Sequence, residues 1–437
     1  MKSSYLIICF TLLFFACSKD EDINSGSTAS TVVRFPEFKL NTPFQEKVLD
    51  TEGNLYAFVE LAGSHSVGES SFKTNRNNTL VKLDPAGNFI TEYPGVRPML
   101  FNKISLGDND IIYMNSASTN STNIVKMSTD GDFISSNRII SSSLDVEANA
   151  NGDYFLIEPD DMLNLDLKKL SSENQLIWSA ATGLNRIEFR RMMFSDVDNS
   201  LLVLSAAKLS KYSSESGELL WEYQIDEMIC SQVFSSPLCV SGFIDTDDQG
   251  NAYLAYVKRG LKDTELIEYV EMVKLDNSGN PLFTKVIRSE ERLREDIFVT
   301  GMSVFEGHFY MAINSTFGNI RSFNSEKAFI AKYDARTGDE VWRQSPSWQF
   351  ISLDDYSPSK FDFSLFPVFI KDMIQSKVDG RLWCSIAIDI PTVIRDPEDI
   401  SQHISRVDVK IKMGSAEITQ TLVPNHIIYR NITVLDK

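Results

Sequence analysis

The sequence predicts an all-β fold, a single β-propeller of seven four-stranded blades over residues 32–437, with six or eight blades as the alternatives. Two alternating repeats carry that prediction, and the N-terminus sets where the folded body begins. The first repeat is a short acidic turn feeding an apolar strand. It reads DTEGNLY (50–56), GDNDIIY (107–113), NANGDYF (149–155), DVDNSLL (196–202), DDQGNAY (247–253), FEGHFYM (305–311) and KVDGRLW (377–383). Asp, Asn and Gly tolerate the positive φ of tight turns, and the residues behind them are β-formers. The second repeat reads VKLDPAGN (81–88), VKMSTDGD (125–132), KKLSSENQ (168–175), SKYSSESGE (210–218), VKLDNSGN (273–280) and AKYDARTGDE (331–340). Its lysines stand at 82, 126, 169, 211, 274 and 332, roughly 40–60 residues apart. Two hairpins per period make four strands, which is one propeller blade. The expected seventh copy is degenerate, at 407–419 (VDVKIKMGSAEIT). Ring closure is expected to pair a strand within 32–40 (VVRFPEFKL) with the C-terminal stretch 426–435 (HIIYRNITVL).

Residues 1–17, MKSSYLIICFTLLFFAC, place one Lys before an apolar run from Tyr5 to Ala16. That run is too short to cross ~30 Å of hydrocarbon, so it reads as an export signal. The FFAC ending resembles the lipobox of bacterial lipoproteins, which implies that Cys17 becomes the acylated mature N-terminus, palmitate-type chains included. SKDED (18–22) follows, then the Ser/Thr/Gly-rich INSGSTAST. A Lys and acidic residues behind such a Cys resemble the surface-export signal of lipoproteins in the phylum Bacteroidota. That likeness implies an outer-membrane location, lipid-anchored and facing the cell exterior. The domain reading is therefore a signal peptide at 1–16, lipid anchor and tether at 17–31, and propeller at 32–437. The chain's 60 acidic and 42 basic residues give a formal charge of −18, which excludes nucleic acid as a partner.

The stretch AKYDARTGDEVW (331–342) resembles the blade motif of quinoprotein-like propellers, and KYSSESGELLW (211–221) is a looser match. The other copies resemble NHL-type hairpins. In such families the outer-strand Trp packs between blades, which implies that role for Trp178, Trp221 and Trp342. The likeness concerns the fold and transfers no active site.

Propeller topology turns loop length into geometry. Turns between first and second strands, and between third and fourth, lie on one face; the remaining loops and the blade connectors lie on the other. Here the first set is tight. The long segments fall in the second set: 61–78, 258–268, 315–327 and 388–405 within blades, and 225–237, 288–296 and 345–364 between them. They cluster in blades five, six, seven and one, and loops on a rigid scaffold are where binding resides. The connector 345–366 carries Trp348, Phe350, Tyr356, Phe361, Phe363 and Phe366, rings able to stack on sugars or anchor a protein, or to bury one another.

For chemistry, His65 and His403 lie in the long loops of blades one and seven, with Arg395, Asp396, Glu398 and Asp399 beside His403. A His with a carboxylate and an Arg can support β-elimination on a uronic acid, as in some propeller-fold polysaccharide lyases. His308 and His426 read as structural. There is no GxSxG elbow, HExxH or phosphate-cradling glycine loop. No metal site and no cofactor is expected, apart from weak Ca²⁺ binding at Asp-rich turns such as 245–251. A quinone-cofactor dehydrogenase is a third reading, weakened by the lack of adjacent cysteines. Cys230 and Cys239 stand close enough for a loop disulfide or remain two buried thiols, and Cys384 reads as core. The resulting expectation is a non-catalytic lipoprotein whose long-loop face binds a glycan or a subunit of an outer-membrane transport or assembly complex. A surface uronic-acid lyase using His65 and His403 is the alternative.

Overall fold

The structure, a computed structural model, describes residues 47–59, 63–67, 70–74, 79–93, 103–107, 111–118, 121–139, 143–149, 151–160, 162–225, 242–262, 265–287, 295–317, 322–323, 328–345, 347–352, 368–389, 394–395, 403–404, 407–413, 416–422 and 427–434. All belong to one compact unit, 33–437. The described residues are strands and turns throughout.

Each repeat period folds as an antiparallel sheet in chain order. Blade one pairs Lys47–Leu49, Leu55–Val59, Thr79–Leu83 and Phe89–Tyr93; blade two Lys103–Gly107, Ile111–Ser118, Ser121–Ser128 and Phe133–Ile139. Blade three holds Asp145–Ala148, Tyr154–Pro159, Asn164–Leu170 and Leu176–Asn185; blade four Phe189–Ser195, Ser200–Ser205, Lys208–Ser213 and Leu219–Gln224. Blade five holds Gly242–Thr246, Ala252–Lys262, Glu265–Leu275 and Pro281–Ile287. A sixth sheet pairs Glu295–Phe305, His308–Phe317, Phe329–Asp334 and Glu340–Gln344, and adds Ser322–Phe323 against its second strand. A seventh has three strands, Val368–Gln375, Leu382–Asp389 and Ile427–Val434.

The all-β propeller is therefore present; of the seven sheets around the ring five are plain four-stranded blades, where the repeat count predicts seven. The reason is where the C-terminal sequence goes. Val407–Met413 and Ala416–Leu422, expected as the last blade's second hairpin, pair instead with Ser347–Ser352 in a separate three-stranded sheet. Ile427–Val434 then takes the third position beside Leu382–Asp389. The stretch 32–40 lies outside the described residues.

The first strands of the seven sheets neighbour one another in chain order, and the first meets the last, so the ring closes. Stacking blades face to face buries both faces of the middle strands. Ser200–Ser205 is buried at every position, whereas the outer strand Leu219–Gln224 alternates exposed and half-buried residues. Apolar clusters form across the joints: Tyr56 and Phe58 with Ile104 and Met127, Leu202 and Leu204 with Ile244 and Tyr256, and Phe243 with Phe309. At closure Trp383 packs against Leu55, Ala57, Val81 and Leu83.

The acidic turns are held by their own side chains. Asp247 Oδ1 accepts the backbone N–H of Gln249 (3.1 Å) and Asn251 (2.9 Å), and Asp276 does the same for Ser278 and Asn280. Where a turn lacks glycine, Asn174 and Asn199 adopt the positive φ, 68° and 52°. Outer-strand aromatics lie on the next blade's turn. Trp178 Nε1 donates to Ser214 O (3.2 Å) and Trp221 Nε1 to Asn277 O (3.0 Å), as the blade-motif likeness implies. A Cβ on Gly217, whose φ is +74°, would sit 2.7 Å from the Trp178 ring. Trp342 instead meets Tyr310 of its own sheet, ring edge to face at 6.2 Å.

The repeat lysines tie blades together. Lys126 of blade two donates to Ser172 O of blade three, and Lys274 of blade five to Ala335 O of the sixth sheet (3.1 Å). Lys211 of blade four bonds Asp198 and reaches Asn277 Oδ1 of blade five at 2.7 Å.

These turns make stability depend on acid. Burial works to raise Asp198 and Asp247, but bonds from Lys211 and from Asn251 and Lys274 outweigh it and hold both below the usual carboxylate range. A depressed folded pKa adds stability above the unfolded value of about 3.9, and that part is lost as pH falls through the folded pKa. The urea midpoint is therefore expected to stay level from pH 7 to 5 and drop steadily below about pH 4. A midpoint unchanged at pH 3 would contradict this.

Candidate functional site

The hairpin order puts the tight acidic turns at one end of every sheet and the second-to-third loops and connectors at the other. That second end carries added structure. In blade one, Gly63–Val67 and Ser70–Thr74 form a hairpin of their own inside 61–78. After the second strand of the seventh sheet, Ile394–Arg395 pairs with His403–Ile404 as a two-stranded sheet of its own, and the connector after the sixth sheet supplies Ser347–Ser352 to the separate three-stranded sheet. The expected loop at 258–268 is corrected. The second and third strands of blade five run on as a ladder in which Lys262 faces Glu265 and Arg259 faces Glu268, with only 263–264 between them. Opposite charges across a ladder favour that extension.

The predicted residues fall into place as follows. His65 stands opposite Phe72, and His403 directly opposite Arg395. The two histidines belong to separate two-stranded sheets, carried by blade one and the seventh sheet, whose first strands are neighbours in the ring. Trp348 is in register with Ile411, and Phe350 with Val409. Cys17, Cys230, Cys239, Tyr356, Phe361, Phe363, Asp396, Glu398, Asp399 and His426 lie outside the described residues. His308 opens a strand, its Nδ1 3.0 Å from Glu306 O. Cys384 is fully buried, and burial pushes its thiol well above the ordinary range, as suits a core position.

In the 245–251 turn the Asp247 carboxylate is already engaged. Asp247 accepts two backbone N–H groups at Oδ1, while its Oδ2 takes the Asn251 amide, the Tyr253 hydroxyl and Lys274 at 3.2 Å. Among the described residues no three His, Cys, Asp or Glu side chains gather as a metal site.

Sequence reasoning missed the charged residues of the first strands. Lys103 Nζ of blade two lies 2.6 Å from both Asp145 Oδ1 and Glu147 Oε1 of blade three, and 3.2 Å from Met192 O of blade four. Asp145 Oδ2 accepts the Met192 N–H at 2.9 Å. Burial opposes the Lys103 charge, but the two carboxylates outweigh it and raise the ammonium above its ordinary value. Burial also raises Glu147, against the pull of Lys103. Elsewhere in the ring Lys47 bonds Asp372 and Ser385, and Asp245 Oδ2 accepts the Val304 N–H at 2.6 Å. The signal was present as polar alternation in Lys103–Ser105 and Asp145–Glu147. These groups satisfy one another between blades, which makes them joints of the ring.

No family model matches the chain, and no curated protein matches its sequence. Among solved structures it is similar to a protein of unknown function from Bacteroides caccae (13% identity, TM-score 0.39, 66% of this chain and 93% of that one). It is similar also to streptogramin B lyase (12%, TM-score 0.46, 86% and 97%) and to the dihydro-heme d1 dehydrogenase NirN in complex with DHE (13%, TM-score 0.45, 90% and 78%). Likeness at that level carries no activity over to this chain.

Proposed function

We propose that this chain is a non-catalytic, lipid-anchored binding module of the outer-membrane surface. Its end of long loops would engage a glycan or a subunit of a transport or assembly complex. One observation carries the reading: the strands added to the propeller emerge from the second-to-third loops and connectors, while the turns at the other end stay tight. A rigid ring decorated at one end is what a presentation platform needs. Among the described aromatics of that end, Trp348 and Phe350 are the first candidates for contact. Acylation of Cys17 and exposure at the cell surface belong to the same proposal and rest on FFAC followed by SKDED.

Co-purification from native outer membranes in mild detergent tests it. A stoichiometric membrane protein, or binding on a glycan array, is the expected result. A chain that emerges alone and binds no glycan would overturn it. Cys17→Ser should abolish palmitate labelling and release the protein from the membrane.

The lyase reading keeps one point in favour, the cross-strand position of Arg395 and His403. It predicts cleavage of uronic-acid polymers that His65→Ala with His403→Ala removes.

A further inference from the structure

Two neighbouring turns of the long-loop end hold large apolar side chains out in water. One joins the second and third strands of blade three and presents Met162, 79% exposed, and Leu163, 61% exposed. The other, 185–188, leads from blade three into blade four and presents Ile187, 84% exposed. Asn164 stands opposite Asn185 in the ladder, which sets the two turns side by side. Among the described residues, Ile187 and Met162 are the most exposed of the large apolar side chains.

Both turns are fixed by their own hydrogen bonds, and one is strained. Asp160 Oδ1 accepts the backbone N–H groups of Met162 and Asn164, each at 2.8 Å, and Asp160 O accepts that of Leu163 at 3.0 Å. Asn185 Oδ1 accepts the N–H groups of Ile187 (2.9 Å) and Glu188 (3.1 Å), and Arg190 Nη1 donates to Ile187 O. Leu163 has a φ of 67°, in the left-handed region that Asn or Gly adopts with less strain. Gly53, Gly152, Asn174 and Asn199 fill that role in other turns, and Leu163 is the one apolar side chain so held among the described residues. The turn itself has no need of a leucine there, so the strain points to a use for the side chain.

We propose that Met162, Leu163 and Ile187 form a preformed anchor that seats in an apolar, basic-rimmed pocket of a protein partner. The inference rests on the binding-platform reading above and narrows its partner from glycan or protein to protein. The chemistry of the tips makes that choice. A sugar needs hydrogen-bond partners for its hydroxyls and a flat ring for its C–H face, and these three side chains supply neither. Sinking the tips into a bilayer would carry the Asp160 and Glu188 carboxylates toward hydrocarbon, where charge is costly. A second copy of this chain would bring another body of formal charge −18 against the first. Along 160–164 and 185–188 the chain carries Asp160, Asp161 and Glu188 against Arg186, three acidic residues to one basic. Lysine or arginine around the pocket completes that contact. Turns already held in place lose little freedom on binding, and aliphatic tips in a dry pocket then supply the affinity.

The test begins with a photo-crosslinking residue at position 162 of the full chain, irradiated in native outer membranes. One protein adduct is expected there, and none when the same residue stands at Val197, which is 50% exposed on a turn of the opposite end. With the adduct protein purified, Leu163→Asn and Ile187→Asp should each weaken its binding about tenfold or more. Leu163→Asn should nevertheless melt no lower than wild type, because asparagine suits the left-handed turn. A Leu163→Asn protein that melts lower would make the leucine a support of the fold and overturn the anchor. Adducts confined to lipid, to glycan or to a second copy would also overturn it. So would a protein partner that both variants bind at full strength, although the platform reading survives that result. A wild-type chain that binds neither protein nor glycan overturns both.

Discussion

Lys211→Ala is expected to cost about 3–5 kcal/mol of folding stability at neutral pH, because it removes one partner of a buried ion pair. The side chain is only 2% exposed. Its ammonium bonds Asp198, reaches Asn277 Oδ1 in the next blade at 2.7 Å and lies 5.8 Å from the centre of the Trp221 ring. Without it, Asp198 keeps the Ser200 hydroxyl at 2.7 Å but loses its counter-charge, and the joint between blades four and five loses a bond. Replacing both partners, as in Lys211→Met with Asp198→Leu, should restore a large part of the loss, since no buried charge is then stranded. Urea unfolding of the three proteins decides the matter. A single variant within about 1 kcal/mol of wild type would show that the lysine is not a joint.

Gly301→Val is expected to be comparably damaging for the opposite reason, too much volume. A Cβ at Gly301 would stand 2.6 Å from Met373 Cβ, 2.9 Å from Met373 N and 3.1 Å from Met373 O. Two of those atoms are backbone of the neighbouring first strand, which no rotamer change can move. The same joint is held by Asn314, whose amide donates to Ile370 O (2.8 Å) and accepts from Ile370 N (2.7 Å). A valine must push the sixth and seventh sheets apart and break that bracket. Overpacking commonly costs about 1–3 kcal/mol, and the rigid neighbour puts this case at the upper end or beyond. Gly307, whose added Cβ would meet nothing within 4 Å, is the natural comparison, although its φ of +72° makes alanine there strained rather than crowded. Thermal unfolding should rank Gly301→Val far below Gly307→Ala; the reverse order would contradict the close approach of the two sheets.

Local turn chemistry made most of the ring legible in advance. An Asp that accepts the N–H four residues ahead, with Gly at the positive-φ position, is written in consecutive residues, so Asp50, Asp84, Asp247 and Asp276 announce their hairpins. The recurring lysines were legible as markers but not as joints, because Lys274 finds Ala335 O at a separation of 61 residues. The C-terminal third was misread for the same reason. Nothing in VDVKIKM says whether it pairs with its own blade or with Ser347–Ser352, since alternation serves both. Lys262 and Glu265 looked like loop residues by composition and stand opposite each other in a ladder. The long-loop end was legible as a set of insertions; that several of them fold into paired strands was not.

The claim that this end is the binding face is tested most directly by trimming it. Val59 faces Thr79 in blade one, so a two-residue Asn-Gly turn can replace 60–78 and close the hairpin where the ladder already ends. Combined with Trp348→Ala and Phe350→Ala, the trimmed protein should melt close to wild type and remain at the membrane. It should no longer retain the protein or glycan that the intact chain co-purifies with. Full retention of that partner by the trimmed chain would place recognition elsewhere on the ring and contradict the account.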